Sequence, residues 1–267
     1  MYLSSEEKAV VENIAVALDL PSIHDNIELG RKLSGMVRYV KTSSALIDAS
    51  NRGMGLAQIL HEFSKDGRRN IFGDLKFHDT PRTVYNSSRE ICSAPGLDIF
   101  TVHIEGGEAM CKEAIRAAED VGAASKIRGQ GILKYEERAK VIGITVLTSL
   151  DDADLRRQGF SMGYNDLVKL RTELAREWGL DGVTCPASMA GVLEKEFGAD
   201  FMYVLTGMTW KGVKGAEQKY PYSPEEGINS CQNPIMVAGS VITQSKDPVN
   251  TLHEIIAAAV KAKSNPS

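Results

Sequence analysis

The stretch Gly73-Asp74-Leu75-Lys76-Phe77-His78-Asp79-Thr80-Pro81 decides how the rest of this chain is interpreted. The sequence Asn-Ile-Phe at 70–72 predicts a short buried strand leading into it, and Pro81, which fixes φ, suits the first turn of a helix. Side chains two residues apart on a strand share a face, so Asp74 and Lys76 are predicted to point the same way. A loop beyond the strand can direct Asp79 independently. These three charges need partners, because a buried charge is costly unless it is paired.

The Asp-x-Lys-x-x-Asp pattern has two interpretations. One is a solvated salt bridge at the mouth of a loop, which is common and contributes little to stability. The other is an acid–base arrangement, in which a lysine held among carboxylates stays protonated and delivers a proton to a carbanion. The spacing alone does not choose between them, so the surroundings must decide.

Composition excludes several classes of protein. The chain has 267 residues, is 43% hydrophobic and carries a formal net charge of -4, which gives no electrostatic footprint for nucleic acid or a membrane surface. Residues 1–8 form no apolar signal segment, and no run reaches the roughly 18 apolar residues of a membrane span. We therefore expect a cytoplasmic protein. Its four scattered cysteines are expected to be reduced core residues: Cys92, Cys111, Cys185 and Cys231.

Eight short β-rich runs alternate with helical patterns along the whole chain, which predicts a single (β/α)₈ barrel over residues 1–267. A doubly wound open sheet is the alternative, and the count of eight disfavours it. A surface excursion is expected near 122–138 and a candidate lid loop at 208–222. The predicted strands lie at 14–18, 37–40, 70–72, 99–102, 141–147, 182–185, 202–205 and 235–239. The predicted helices lie at 27–33, 56–63, 108–121, 164–178, 187–197, from 223 onward, and 251–261.

Polar side chains stand at or just after the ends of several predicted strands. Active sites in barrels of this kind lie at the carboxyl ends of the strands, so these side chains are predicted to converge on one rim. Convergence of that kind favours a functional site over a set of separate surface pairs. The residues concerned are Asp19, Lys41, Asp74, Lys76, His103 and Ser149.

With these residues assembled, the chain resembles the orotidine 5'-monophosphate decarboxylase family. The resemblance runs from the first strand to the last helix, and its Asp-x-Lys-x-x-Asp element is highly specific. The matching motifs are Val16-Ala17-Leu18-Asp19, Val40-Lys41, Asp74-Leu75-Lys76-Phe77-His78-Asp79 with Pro81 and Thr83, Val102-His103, Thr145-Val146-Leu147-Thr148-Ser149, Gly179-Leu180-Asp181-Gly182-Val183, and Thr243-Gln244-Ser245 with Asp247-Pro248.

The resemblance implies decarboxylation of a nucleotide, orotidine 5'-monophosphate (OMP), to UMP in pyrimidine biosynthesis. It also implies a homodimer with sites at the interface, and neither a metal nor an organic cofactor. Lys41, Asp74, Lys76 and Asp79 would form a charged network in which Lys76 protonates the carbon that loses CO₂. A fixed ammonium is a natural stabiliser for a carbanion when no cofactor absorbs its electrons.

Further roles follow from the same resemblance. Asp74 would sit beside the departing carboxylate, Asp19 and Lys41 would bind ribose hydroxyls, and Ser149 the pyrimidine. Asp79 and Thr83 would reach the partner subunit's site. Metal-dependent relatives in the superfamily carry an acidic residue where this chain has Lys41, which would repel a divalent cation. The residues expected to contact phosphate or base are Gln218, Tyr220, Gly239 and Ser240.

The chain departs from the family in the residues that are expected to bind the substrate phosphate. Gly239-Ser240 stands where the family has Gly-Arg, so the forked guanidinium contact is missing. Such a contact contributes about 2–3 kcal/mol, or about 30- to 150-fold in affinity. Three lysines in the candidate lid loop could supply positive charge to a phosphate, though as point charges and not as a fork, or they could simply be solvated: Lys211, Lys214 and Lys219. Two alternatives therefore stay open: a related decarboxylase for a different nucleoside or nucleotide, and a non-catalytic nucleotide-binding barrel.

Overall fold

A closed barrel of eight parallel strands forms the centre of the protein. The computed structural model describes residues 3–33, 35–43, 70–94, 96–128, 138–213 and 218–265. Neighbouring strands pair in chain order and β1 closes the barrel against β8, which confirms the predicted (β/α)₈ architecture over the open sheet. The strands are β1 (Ile14–Ala17), β2 (Tyr39–Thr42), β3 (Ile71–Phe77), β4 (Leu97–His103), β5 (Lys140–Ile144), β6 (Gly182–Cys185), β7 (Met202–Leu205) and β8 (Pro234–Ala238).

Helices follow the strands on the outside of the barrel. The predicted helices at 164–178 and 187–197 have the observed bounds, whereas the one predicted at 56–63 lies outside the described residues. Within the described ranges, no helix is both long and apolar enough to cross a bilayer. The helices are α1 (Ser5–Val11), α2 (Ile23–Leu33), α3 (Pro81–Cys92), α4 (Glu108–Arg128), α5 (Asp152–Arg157), α6 (Tyr164–Trp178), α7 (Ala187–Phe197), α8 (Pro224–Ile228), α9 (Ser240–Thr243) and α10 (Pro248–Ser264).

Several helix boundaries differ from expectation. Three short helices, α1, α5 and α9, had no predicted counterpart. The helix α4 continues through Arg128, so the first part of the expected surface excursion is helical. Two predicted starts are confirmed: Pro81 opens α3, and Ser223 caps α8 through a reciprocal capping box with Glu226.

Alternation along the strands separates two apolar layers. One layer fills the barrel interior and includes Ala15, Ala17, Tyr39 and Phe72. The other packs between the strands and the surrounding helices, and it takes the intervening residues, such as Val16. Because side chains two apart share a face, continuing the interior series upward leads to charged residues at the top of the barrel.

The third strand is longer and less regular than expected. The prediction that Asp74 and Lys76 lie on the strand and Asp79 lies beyond it is confirmed, because β3 continues through Phe77. Between the pairs Gly73–Phe100 and Phe77–Val102 its register with β4 is interrupted. Lys76 lies within this bulge and has a φ of 50°, in the left-handed region. Asp74 and Lys76 thus sit on a strand whose regular pairing is distorted, which the sequence did not predict.

Candidate active site

A cavity of about 420 Å³ opens at the carboxyl ends of the strands. Its volume is within the range of small-molecule sites. Eight of the eleven residues that were predicted to act in catalysis or substrate binding line it, and they come from both sides of the barrel mouth. These eight are Asp19, Lys41, Asp74, Lys76, Ser149, Gln218, Gly239 and Ser240.

The buried carboxylate of Asp74 is the centre of the charged side of the cavity. Its Oδ2 atom accepts a hydrogen bond from Lys41 Nζ at 2.8 Å and another from Lys76 Nζ at 2.7 Å. The side chain of Lys41 is buried, whereas that of Lys76 is 37% exposed to the cavity and solvent. One ammonium is therefore a fixed structural charge, and the other can be reached by a ligand.

The other oxygen of Asp74 is held by a threonine on the neighbouring strand. Thr101 Oγ1 donates to Asp74 Oδ1 at 3.1 Å, and it accepts the backbone N–H of Lys76 at 2.8 Å. A left-handed backbone at a lysine costs about 1–3 kcal/mol and persists only where surrounding contacts hold it. Sequence reasoning missed Thr101; its one available signal was a hydroxyl inside the apolar run 99–102.

The charged chain extends toward β1. Lys41 Nζ lies 3.6 Å from Asp19 Oδ2, and Ser43 Oγ donates to Asp19 Oδ1 at 3.3 Å. Two carboxylates and two ammonium groups therefore alternate along one wall, in the order Asp19, Lys41, Asp74 and Lys76. Their formal charges cancel, which is the condition under which such groups can be enclosed.

Both buried members of this chain are ionised at neutral pH. Burial raises the pKa of Asp74, but the ammonium groups of Lys41 and Lys76 outweigh it and hold that pKa at about 2. Burial likewise lowers the pKa of Lys41, and the carboxylates of Asp74 and Asp19 outweigh it, so the pKa of Lys41 is raised. Asp74 is therefore a permanent anion here and not a proton donor.

Asp79 and Thr83 lie away from this cavity, exposed at the start of α3. Asp79 Oδ1 accepts the backbone N–H of Thr80 at 2.6 Å, and the hydroxyls of Thr80 and Thr83 lie 3.0 Å apart. Within one chain the structure does not bring either residue to Lys76. Their predicted role in a partner subunit's site stays a prediction.

The opposite side of the cavity is built from hydroxyl and amide groups. Gln218 Oε1 accepts the hydroxyl of Thr148 at 2.7 Å, and Thr148 and Thr206 share a hydrogen bond of 3.1 Å. Thr148, Thr206 and Thr243 line this side and were not among the predicted site residues. For Thr148 and Thr206 the available signal was a threonine directly after a predicted strand, whereas Thr243, in α9, had no such signal.

Tyr220 is the third predicted residue that does not line the cavity. Its ring stacks on Tyr164 of α6, with centroids 4.2 Å apart. The backbone N–H of Lys219 donates to Thr148 O at 3.1 Å. This part of the loop is therefore fastened to the segment between β5 and α5.

Two of the three loop lysines are paired with carboxylates. Lys219 Nζ lies 2.6 Å from Asp151 Oδ2 and 2.5 Å from Asp154 Oδ2, while Lys211 Nζ lies 2.8 Å from Glu254 Oε2. Lys214 is outside the described residues. Among the described residues that line the cavity, the only cations are Lys41 and Lys76, so its β7–β8 side has no positive side chain.

His103 ends β4 but does not line the cavity. Its ring lies 5.3 Å from that of His78, centroid to centroid. Burial, above all, lowers the pKa of His103, so the ring is neutral at pH 7. Within the described ranges, no three His, Cys, Asp or Glu side chains come together as a metal site requires.

Known proteins share this arrangement of sequence and fold. A family model described as orotidine 5'-phosphate decarboxylase / HUMPS family matches residues 12–255. The chain belongs to this family. Membership confirms the resemblance seen in the sequence, and with it the prediction of an orotidine-5'-phosphate decarboxylase-like carboxy-lyase.

Individual relatives in this family cover most of the chain. An orotidine 5'-phosphate decarboxylase of Marinomonas sp. is 32% identical over 241 residues, which is 90% of this chain and 93% of the relative. One of Coxiella burnetii is 33% identical over 196 residues, covering 73% of this chain and 77% of the relative. The crystal structure of orotidine 5'-phosphate decarboxylase from Lactobacillus acidophilus superposes with a TM-score of 0.71 at 27% identity, covering 92% of this chain and 98% of that one.

Proposed function

We propose that this chain decarboxylates OMP to UMP without a cofactor, and that Lys76 protonates the pyrimidine carbon that loses CO₂. The observation that carries the proposal is the pair of ammonium groups on one buried carboxylate oxygen, Lys41 and Lys76 on Asp74 Oδ2, at the mouth of a barrel of this family. A cytoplasmic setting accords with this reaction.

The chemistry needs a fixed positive charge and a proton. When the bond from the ring carbon to the carboxylate breaks, CO₂ leaves and the electron pair stays on the carbon. The ammonium of Lys76 stabilises that negative charge and transfers a proton to form the new C–H bond. The lysine, whose side chain is 37% exposed, is then reprotonated from solvent. Asp74, with its pKa at about 2, carries no proton at neutral pH, so it orients the ammonium of Lys76 and cannot itself act as the proton donor.

Lys41 supports the cofactor-free branch of this superfamily. Its ammonium lies between the carboxylates of Asp19 and Asp74, at 3.6 and 2.8 Å. A divalent cation in a metal-dependent relative would need such carboxylates as ligands. Here their charge is already neutralised by a side chain, so a metal ion would have to displace Lys41.

A homodimer forms part of the proposal. Asp79 and Thr83 are both exposed near the start of α3. In the described structure their side chains hydrogen-bond only to Thr80, which lies between them in the sequence. In the family arrangement they would complete the site of a partner subunit, adding a second carboxylate near its Lys76. That role explains why two residues of the specific motif lie outside the cavity of their own chain.

A second candidate is a related decarboxylase whose substrate has no phosphate at the usual position. The observation that favours it is the β7–β8 side of the cavity, which offers Ser240, Thr243 and Gln218 but no described cation. Neutral hydroxyls and amides suit a sugar or another uncharged polar group better than a dianion. A purely nucleotide-binding role is disfavoured, since binding alone would not need the buried charged network.

Release of CO₂ from OMP and, separately, from orotidine distinguishes these candidates. Turnover of OMP at least 100-fold faster than that of orotidine supports the first. Equal or faster turnover of orotidine supports the second. If neither compound loses CO₂, the proposed decarboxylation of OMP is wrong for this chain.

A further inference from the structure

The bulge in β3 places an unequal number of residues opposite β4. Between the paired residues Gly73 and Phe77, β3 contributes three residues, whereas β4 contributes one between Phe100 and Val102. That single residue is Thr101, whose side chain is fully buried. Regular ladder hydrogen bonds cannot form across such a mismatch, so the backbone of the bulge needs other partners.

The hydroxyl of Thr101 supplies one such partner. It accepts the N–H of Lys76 at 2.8 Å and donates to Asp74 Oδ1 at 3.1 Å. A hydroxyl can donate one hydrogen bond through its proton and accept others through its oxygen lone pairs. In Thr101 the hydroxyl does both at once. One buried group therefore joins the backbone of the proposed proton donor to the carboxylate that orients the donor's ammonium.

Besides the direct hydrogen bond from Lys76 Nζ to Asp74 Oδ2 and the contact of Lys41 with the same oxygen, the hydroxyl of Thr101 is what holds both groups from behind in the described structure. Both ammonium contacts fall on Asp74 Oδ2, so the carboxylate is held at its other oxygen by Thr101. Lys76 is partly exposed and has a left-handed backbone that must be held in place. Loss of the hydroxyl would leave the carboxylate held at Oδ2 alone, so that it could turn about that oxygen, and would leave the backbone N–H of residue 76 without this acceptor.

We infer that Thr101 is a positioning residue for decarboxylation: its hydroxyl aims the ammonium of Lys76 by fixing both the bulged backbone of Lys76 and the carboxylate of Asp74. The inference rests on the proposed function, since decarboxylation is the reaction that this aim would serve. A displacement of about 1 Å in a catalytic group can lower a rate about 100-fold.

Two variants of Thr101 test this role. Thr101→Val keeps the shape and removes both hydrogen bonds, and we expect kcat to fall about 10- to 100-fold with KM changed less than about 2-fold. Thr101→Ser keeps the hydroxyl, and we expect kcat within about 3-fold of the wild type. A Thr101→Val enzyme with wild-type kcat, or a Thr101→Ser enzyme as slow as Thr101→Val, would overturn the inference.

Thr172→Val is the matched control for stability. Thr172 is also fully buried, and its hydroxyl donates to Val168 O at 2.8 Å within α6, away from the cavity. We expect this variant to lose thermal stability without a change in kcat. If Thr172→Val lowered kcat as much as Thr101→Val does, the effect would be a general consequence of weakened packing, and the inference would fail.

Crystal structures of the variants give a readout that does not depend on activity. In Thr101→Val we expect the distance from Lys76 Nζ to Asp74 Oδ2 to exceed about 3.5 Å, beyond hydrogen-bond range, or φ of residue 76 to leave the left-handed region. In Thr101→Ser we expect both the distance and the φ angle to stay as in the wild type. Unchanged geometry in Thr101→Val would refute the positioning role by itself. A wild-type protein that releases CO₂ from neither OMP nor orotidine would refute the proposed function instead.

Discussion

Replacing Lys41 with methionine tests the electrostatic account of the site. Lys41 is 8% exposed, and its ammonium joins Asp74 to Asp19. Methionine fills much of the same volume but carries no charge, so it leaves Asp74 buried with only the partly exposed Lys76. Breaking a buried pair by removing one partner costs about 3–5 kcal/mol, since the remaining charge is no longer compensated. We expect a loss of that size at pH 7.

The same variant has a predicted pH dependence. In the wild type the pKa of Asp74 is lowered from 3.8 to about 2. A lowered pKa contributes about 2 kcal/mol of stability, which is present above pH 3.8 and is lost as the pH falls through 2. Without Lys41, burial of Asp74 is opposed by one ammonium fewer and its pKa rises, so the variant lacks this contribution. The stability difference between wild type and variant should therefore be about 1 kcal/mol smaller at pH 3 than at pH 7.

Urea denaturation at pH 7 and at pH 3 measures both effects. Lys211→Met is the control, because Lys211 pairs with Glu254 at the surface and its side chain is 62% exposed. We expect that control to leave the free energy of unfolding unchanged within error. A Lys41→Met loss no larger than that of the control would mean that the ammonium of Lys41 does not compensate the buried charge of Asp74. If the difference in unfolding free energy between wild type and Lys41→Met is the same at pH 3 and pH 7, then Lys41 does not lower the pKa of Asp74.

Three further substitutions test other parts of the site. Lys76→Ala should abolish CO₂ release while the circular dichroism spectrum stays that of the folded wild type; a variant with near-full activity would remove Lys76 from the mechanism. Ser240→Arg should tighten UMP relative to uridine by about 30-fold in calorimetric titrations, since it restores a forked phosphate contact; unchanged affinity would mean that the anion is held elsewhere. Lys219→Ala, which removes the ion pairs to Asp151 and Asp154, should speed amide hydrogen exchange over residues 218–222; unchanged exchange would mean that other contacts hold this segment.

Much of the fold followed from periodicity. Each strand is apolar on both faces, because one face lines the barrel interior and the other packs against the helices. Eight such runs, separated by helical patterns, were enough to predict the (β/α)₈ barrel. The same alternation leads from Phe72 to Asp74 on the interior face of β3, and from Tyr39 to Lys41 on the interior face of β2. Because strand ends in a closed parallel barrel share one rim, charges far apart in the chain could be placed together without coordinates.

The parts that escaped prediction depend on tertiary contacts. Asp74 and Lys76 could be placed on a strand, but only its pairing with β4 shows the register shift there and the left-handed backbone of Lys76. Thr101 looks like an ordinary β-branched strand residue until the bulge opposite it is known. The pairing of Lys219 with Asp151 and Asp154 joins segments far apart in the sequence, with no local pattern to reveal it.

The two sides of the cavity are built on different kinds of element, and this difference decides what Ser240, at the position where the resemblance predicts an arginine, would change. The charged side stands on β1, β2 and β3, where Asp74 and Lys41 are buried and mutually neutralised. The polar side depends on the segments after β7 and β8, including Gln218 and Ser240. Loops tolerate exchange more readily than barrel strands do, so selection can alter that side while the strands stay fixed. Ser240 shares no hydrogen bond or ion pair with the charged network among the described contacts, so its presence should change which molecule is bound rather than how the bound molecule reacts.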